Sequence, residues 1–429
     1  MIKKYSKLLL SVAAMTLAIP GCSSGQAEKT IKAGNIADIR SKVWNSYVEK
    51  VSEDPERKNE FESKELKYGE VTMRYEMFTI GEAPEDGYPL YITLHGGGNA
   101  PKEVNDQQWE HMKIYYRNSV ENGVYVAVRG VRDTWNTHFN DESYPLYDRL
   151  IENMILFANV NPNRVYILGF SAGGDGVYQI APRMADRFAA ANMSAGHPNG
   201  VSMKNVRNLP FAIQVGEKDT AYERNVQAAI YDGILSDLEK AEGGYYHQTF
   251  IHYNKPHNFY DNHAMRNNQK VIADLEAWRT ENNRLTFEAN TNAIDWVSRF
   301  ERNPYPEKIV WDLSTRASLR DVNSFYWLRL NNPEEETEGE IKASLDPKAN
   351  SVIIDTANLK GGFTILLNEK MLNIFKPVTV HIGDQKFKVD VKPSEEFLIE
   401  TTFERGDFNY QFAAGISLGK ENNEWKVLE

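Results

Sequence analysis

Cysteine is almost absent: the 429-residue chain holds one, Cys22. No disulfide within the chain is possible, so the fold must rest on core packing. Positive charge is in deficit. A net charge of −11 and a pI near 5.5 exclude the basic footprint that nucleic-acid binding needs. There is no cysteine cluster, no His-Glu-x-x-His and no Asp-rich calcium loop, so neither a metal nor another cofactor is expected. Past residue 21 no segment is apolar enough to cross a bilayer. No internal repeat is present. Apolar residues still make up 41% of the chain, enough for a sizeable core, and the length allows two or three domains.

The N-terminus stands apart from the rest. Lys3, Lys4 and Lys7 precede an apolar run over residues 8–19, too short to span a membrane and patterned as a signal peptide. It ends Ile19-Pro20-Gly21-Cys22, which resembles a bacterial lipoprotein signal whose cysteine becomes the lipidated first residue. The resemblance implies a signal peptide over 1–21, a lipid at Cys22 and a polar tether over 22–37. It also implies attachment to the cell envelope, at the periplasmic face or outer surface. Loss of the leader and its three lysines takes the net charge from −11 to −14.

Residues 38–67 read as an N-terminal helical segment, with Val43, Trp44, Tyr47, Val48 and Val51 on one face. Strand patterns follow at 71–80, 88–94, 124–128, 165–170, 189–194, 211–216 and 245–253. Helix patterns fall between them, at 107–121, 147–158 and 223–242, with a closing helix at 267–278. This alternation over 68–285 predicts an α/β domain, a mostly parallel sheet with helices on both faces. The chemistry of such a sheet lies at the carboxyl ends of its strands. After an expected linker at 286–305 the texture changes to short strands. Residues 306–429 read as a small all-β, sandwich-like domain without long helices, and Glu334 to Glu338 as a solvated loop.

The stretch Val165-Tyr166-Ile167-Leu168-Gly169-Phe170-Ser171-Ala172-Gly173-Gly174 carries the sharpest signal. It places Gly-x-Ser-x-Gly between a strand and a helix, the setting in which a strained turn exposes a nucleophilic serine. Such a serine needs a base, a group that orients the base, and donors for an oxyanion. In an open α/β hydrolase the acid follows the serine and the histidine comes last. Asp219, after Val215-Gly216, is the preferred acid; Glu217 is the other carboxylate there, and either could be a solvated residue or a helix cap. His257, just past Lys255-Pro256, is the preferred base. His263 is the alternative, and His252 falls inside a strand pattern. His95-Gly96-Gly97-Gly98 sits where an oxyanion loop belongs, with donors at Gly97 and Ala172. His197, Trp135 and His138 either line the cleft or belong to plain loops.

These residues resemble the α/β-hydrolase superfamily. Leu94 to Gly98, Asn161-Pro162-Asn163-Arg164-Val165-Tyr166 and Gly169 to Gly174 are similar to secreted feruloyl and acetylxylan esterases, polyhydroxybutyrate depolymerases and some exopeptidase-like relatives. The resemblance implies ester hydrolysis through Ser171, His257 and Asp219, with a substrate such as acetylated or feruloylated plant polysaccharide. A serine peptidase on the same triad is the second reading. A third is an inactive surface protein that docks glycan through Trp311, Tyr326 or Trp327 of the β domain. Acyl group, leaving group and oligomeric state stay open.

Overall fold

The computed structural model describes residues 31–259, 271–272, 292–336 and 338–428. The signal peptide, Cys22 and His263 lie outside the described residues. The tether ends earlier than expected, because Ile31 and Ile36 are already buried in the core. The N-terminal segment forms two helices, α1 (Ile36–Ser52) and α2 (Pro55–Ser63). Asp54 separates them: its side chain caps the Glu56 N–H, and Pro55 supplies the fixed φ of a first helical residue.

A nine-stranded sheet follows. Its strands are β1 (Glu65–Tyr68), β2 (Val71–Ile80), β3 (Tyr88–Leu94), β4 (Gly123–Val128), β5 (Val160–Phe170), β6 (Ala190–Ser194), β7 (Phe211–Gly216), β8 (His247–His252) and β9 (Val271–Ile272). They lie in the order β1-β2-β4-β3-β5-β6-β7-β8-β9. The pairings from β4 through β8 are parallel; β1, β2 and β9 run antiparallel to their neighbours. Every residue of β4, β6 and β7 is buried. Strands covered on both faces carry near-continuous apolar runs, as β4 does; the buried polar residues of β6 and β7 bond one another, Gln214 to Asn192 and Asn192 to Ser194. The helices are α3 (Lys102–Tyr115), α4 (Ser143–Phe157), α5 (Ala172–Arg183) and α6 (Arg224–Glu242). This is an α/β-hydrolase fold.

Two expectations change here. Val271 and Ile272 pair with His252 and Ile251 at the sheet edge rather than lying in a closing helix, which suits two β-branched residues. The rest of that expected helix lies outside the described residues. The expected linker carries, in its described part, a helix at Ala293–Val297 whose Trp296 is buried and donates its indole N–H to Gln248.

The C-terminal half forms two five-stranded sheets. All their pairings are antiparallel except one, between Ser351–Ala357 and Val378–Ile382. It is not free of helix: Glu395–Arg405 is helical, capped by the Ser394 hydroxyl on the Phe397 N–H. Trp311, Tyr326 and Trp327 are at most 3% exposed, so the glycan-docking reading loses its aromatics to the core. Glu336 is buried rather than solvated, because it accepts the backbone N–H groups of Lys360 and Gly361.

The two halves share one apolar core. Between them lies a buried ion-pair array. Asp148 on α4 accepts from Arg187 at 2.7 Å and Arg320 at 2.6 Å. Asp186 accepts from Arg405 at 2.7 Å, and Arg302 pairs with Asp407 at 2.7 Å. Burial alone would raise the carboxyls of Asp148, Asp186 and Asp407; the guanidinium groups outweigh it and hold all three below the ordinary range.

Candidate active site

The site is built from loops at the carboxyl ends of β3, β5, β7 and β8. Ser171 follows β5 and holds the N-terminal cap position of α5 with φ 58° and ψ −121°, a conformation that L side chains rarely adopt. The turn is held by its neighbours. The Ser171 N–H donates to the Ser194 carbonyl at 2.9 Å, one strand over. Gly173 must be glycine, since a Cβ there would stand 2.0 Å from the Leu94 carbonyl oxygen. The helix therefore starts against the sheet, with Ser171 on its outer lip.

His257 stands between Ser171 and Asp219. Its Nε2 is 3.0 Å from the Ser171 Oγ, and its Nδ1 is 2.8 Å from Asp219 Oδ2. With Nδ1–H donating to the carboxylate, Nε2 is left as the acceptor for the serine hydroxyl. The His257 side chain is 37% exposed and that of Asp219 is 1% exposed, so the pair runs from solvent inward. The Phe170 ring, 5.1 Å away centroid to centroid, backs the imidazole. The loops carrying Asp219 and His257 are stitched together: Glu217 N–H donates to the His252 carbonyl, and Lys218 N–H to that of Lys255 at 2.8 Å. Glu217 is used in the same way, accepting the Asn254 N–H at 2.7 Å, and His252 is a buried structural residue beside Gln214.

The glycine loop after β3 lies over the serine. A Cβ on Gly96 would sit 3.3 Å from Ser171 Cβ, and one on Gly98 would sit 3.2 Å from Ala172 Cβ. Gly97 has φ 105° and faces solvent, and a Cβ on it would stand 2.2 Å from Asn105 Oδ1. Ala172 is the first residue of α5, where a backbone N–H has no intrahelical acceptor. Asn105 pins the loop from α3. Its Oδ1 accepts the Gly98 N–H at 2.8 Å, and its Nδ2 reaches the Gly98 and Ala100 carbonyls and Asp133.

His95 lies beneath that loop and is fully buried. It accepts the Gly130 N–H at Nε2, and its Nδ1 bonds the Gly96 carbonyl. Burial pushes its imidazole down to about 4. His138 does not line the cleft: it too is fully buried and donates from Nε2 to the His95 carbonyl at 2.8 Å. Trp135 is 56% exposed. Its loop reaches the glycines, with the Trp135 carbonyl oxygen 3.6 Å from a Cβ built on Gly98.

Two residues near Ser171, His257 and Asp219 gave no signal in the sequence. Asp175, in the first turn of α5, accepts the His197 N–H at 2.6 Å. Burial raises its carboxyl to about 6, against the lowering effect of that N–H and of Arg224. Arg224 opens α6, directly after two non-glycine residues of positive φ, Tyr222 and Glu223, both at 55°. Each such residue costs roughly 1–2 kcal/mol. Among the described residues no group of acidic and histidine side chains could hold a metal ion. A cavity of about 680 Å³, lined in part by Tyr91, Tyr166, Arg164 and Arg299, lies towards the amino ends of β3 and β5 and touches none of these groups.

No protein-family model matches the chain, and no curated protein matches it. Solved structures do resemble it. One is a thermostable esterase, 20% identical with a TM-score of 0.39; the match covers 56% of this chain and 62% of that one, less than two thirds of its length. Another is FphF, a fluorophosphonate-binding serine hydrolase of Staphylococcus aureus, at 12% identity and TM-score 0.34, covering 47% of this chain and 93% of that one. A third is the CE1 ferulic acid esterase AmCE1/Fae1A of Anaeromyces mucronatus, at 14% and 0.31, covering 46% and 84%. These three neighbours in structure are esterases and a serine hydrolase.

Proposed function

We propose that the chain is a carboxylic-ester hydrolase working through an acyl-enzyme. The observation that carries this is the His257 ring, 3.0 Å from the Ser171 Oγ and 2.8 Å from Asp219, across the ends of three strands. In this reading Ser171 attacks the ester carbonyl carbon as its proton passes to His257 Nε2. Asp219 holds the ring in the tautomer that can accept that proton and stabilises the imidazolium. The N–H groups of Gly97 and Ala172 stabilise the tetrahedral oxyanion, each to the extent of about 3 kcal/mol. His257 then returns the proton to the departing alkoxide. Water, deprotonated by the same histidine, attacks the acyl-enzyme carbonyl; the acyl–Oγ bond breaks, His257 returns the proton to Ser171 Oγ, and the acid leaves.

The substrate class we propose is acetyl or feruloyl ester on plant polysaccharide. It is supported by the sequence resemblance and by the lipoprotein-like leader, which would hold the enzyme at the cell envelope through Cys22. The test is to assay the protein beside Ser171→Ala on p-nitrophenyl acetate, methyl ferulate, acetylated xylan and a dipeptidyl nitroanilide. Serine-dependent turnover of the esters alone is expected. Cleavage of the anilide would make the protein a peptidase, and an active Ser171→Ala would overturn the mechanism.

A further inference from the structure

We propose that Arg224 is a positioning residue for the His257–Asp219 pair, a role that rests on the triad reading above. His257 uses one oxygen of Asp219, Oδ2. The other, Oδ1, lies 3.6 Å from the Arg224 guanidinium. Both side chains are withdrawn from water, at 12% exposure for Arg224 and 1% for Asp219. A carboxylate this deeply buried needs compensation whenever the imidazole is neutral, and His257 cannot supply it in that state. Arg224 can, because a guanidinium stays charged at every working pH.

The backbone is shaped for this contact. Tyr222 (φ 55°, ψ 22°) and Glu223 (φ 55°, ψ 31°) are both left-handed, and neither is glycine. Backbone strain of this kind persists where the surroundings enforce it. Here it reverses the chain between Asp219 and α6, so that the first residue of the helix points back at the acid. The reversed turn is locked by the Asn225 N–H on the Asp219 carbonyl and by the Asn225 side chain on the Glu217 carbonyl. The guanidinium also donates to the Ala221 carbonyl at 3.2 Å and stands 4.8 Å from the ring centre of Tyr222, itself 76% exposed. Its Nε is buried with no hydrogen-bond partner among the described residues. A side chain placed only to satisfy its own donors would not sit this way.

Charged groups of five segments lie near the pair: Arg224 on α6, Asp175 on α5, His197 after β6, Glu217 and Lys218 after β7, and Lys255 after β8. Of these, Arg224 has its charge against Asp219. In its absence the protonated imidazole has no competitor for the carboxylate. His257 then keeps its proton to higher pH, and Oδ1 is no longer held.

The experiment compares Arg224→Gln and Arg224→Lys with the unsubstituted protein, with active sites counted by a fluorophosphonate. For Arg224→Gln we expect kcat to fall at least tenfold with KM within twofold. The pH of half-maximal kcat/KM on the acid side should rise by half a unit or more. Arg224→Lys should recover most of both effects. A role confined to stability would lower the melting temperature and leave kcat per titrated site and the pH profile in place; that result overturns the proposal. An NMR titration of the His257 ring, with and without Arg224→Gln in a Ser171→Ala background, needs no substrate. If Ser171→Ala is as active as the unsubstituted protein, the triad reading fails, and an unmoved NMR midpoint separately refutes the role of Arg224.

Discussion

Asn105→Ala should remove the pin that holds the Gly96–Gly98 loop, the proposed oxyanion loop, without touching Ser171, His257 or Asp219. Asn105 is fully buried and makes four contacts: it accepts the Gly98 N–H at 2.8 Å and donates towards the Gly98 carbonyl at 3.0 Å, the Ala100 carbonyl at 3.0 Å and Asp133 at 2.9 Å. Each neutral hydrogen bond is worth about 1 kcal/mol net, and a buried N–H left without an acceptor costs roughly 1–3 kcal/mol. Carbonyls and a carboxylate that can turn to water recover part of this, so a stability loss of about 2–4 kcal/mol is expected. The catalytic effect is separate. With Gly98 released, the neighbouring Gly97 N–H no longer has a fixed direction, and loss of one oxyanion donor lowers kcat by about 10²–10³. Urea unfolding gives the first quantity, and kcat and KM on p-nitrophenyl acetate give the second. A phosphonate that mimics the tetrahedral state should also react more slowly. Asn105→Asp sharpens the test. It keeps the shape and the acceptor for Gly98 but sets a second carboxylate against Asp133, so it should do no better than alanine. A normal kcat in either variant, alongside a lowered urea midpoint, would refute the link between this side chain and the oxyanion donors.

Asp219→Asn should keep the fold and lower kcat by about 10⁴, because an amide can hold the imidazole with its proton on the wrong nitrogen; unchanged stability with lost turnover in the same sample is the check. Asp175 carries a carboxyl raised to about 6 by burial, so the stability it contributes is present at low pH and lost as pH rises through 6. Asp175→Asn should therefore match the parent near pH 4 and melt at a higher temperature at pH 8; equal melting at both pH values would count against that account. At the junction of the two halves, Asp186→Ala leaves Arg405 buried and unpaired, at a cost of about 3–5 kcal/mol. Both halves should still unfold in a single transition in the parent, followed by near-ultraviolet circular dichroism and by fluorescence.

Local spelling carried the elbow and the sheet into view. Gly169 to Gly174 announces a tight turn, and the runs at β3, β4 and β7 are mostly apolar, with Thr93 and Gln214 the polar exceptions, because both faces are covered. Asp219 and His257 were within reach because chain order restricts where an acid and a base can emerge from such a sheet. Other features depend on contacts that no pattern encodes. Asn105 looks like any polar residue in a surface helix, yet it is fully buried. Arg224 matters through two left-handed residues whose types, Tyr and Glu, give no hint of positive φ. His138, in a loop at the right strand end, could read as a cleft residue or as plain loop structure; its ring lies under the loop, against His95. The aromatic strands near Trp311 and Trp327 carry no mark that separates a core face from a binding face, and the core claims them.

The ion-pair array between the halves also bears on how the chain is made. Asp148 and Asp186 leave the ribosome well before Arg320 and Arg405, their partners in the finished protein. Until those arginines arrive, Asp148 has Arg187 as its partner and Asp186 lacks its own, so the junction face of the first half carries charge that is matched only once the second half docks on it. For the same reason neither half can be exchanged for a foreign one unless the matching charges travel with it.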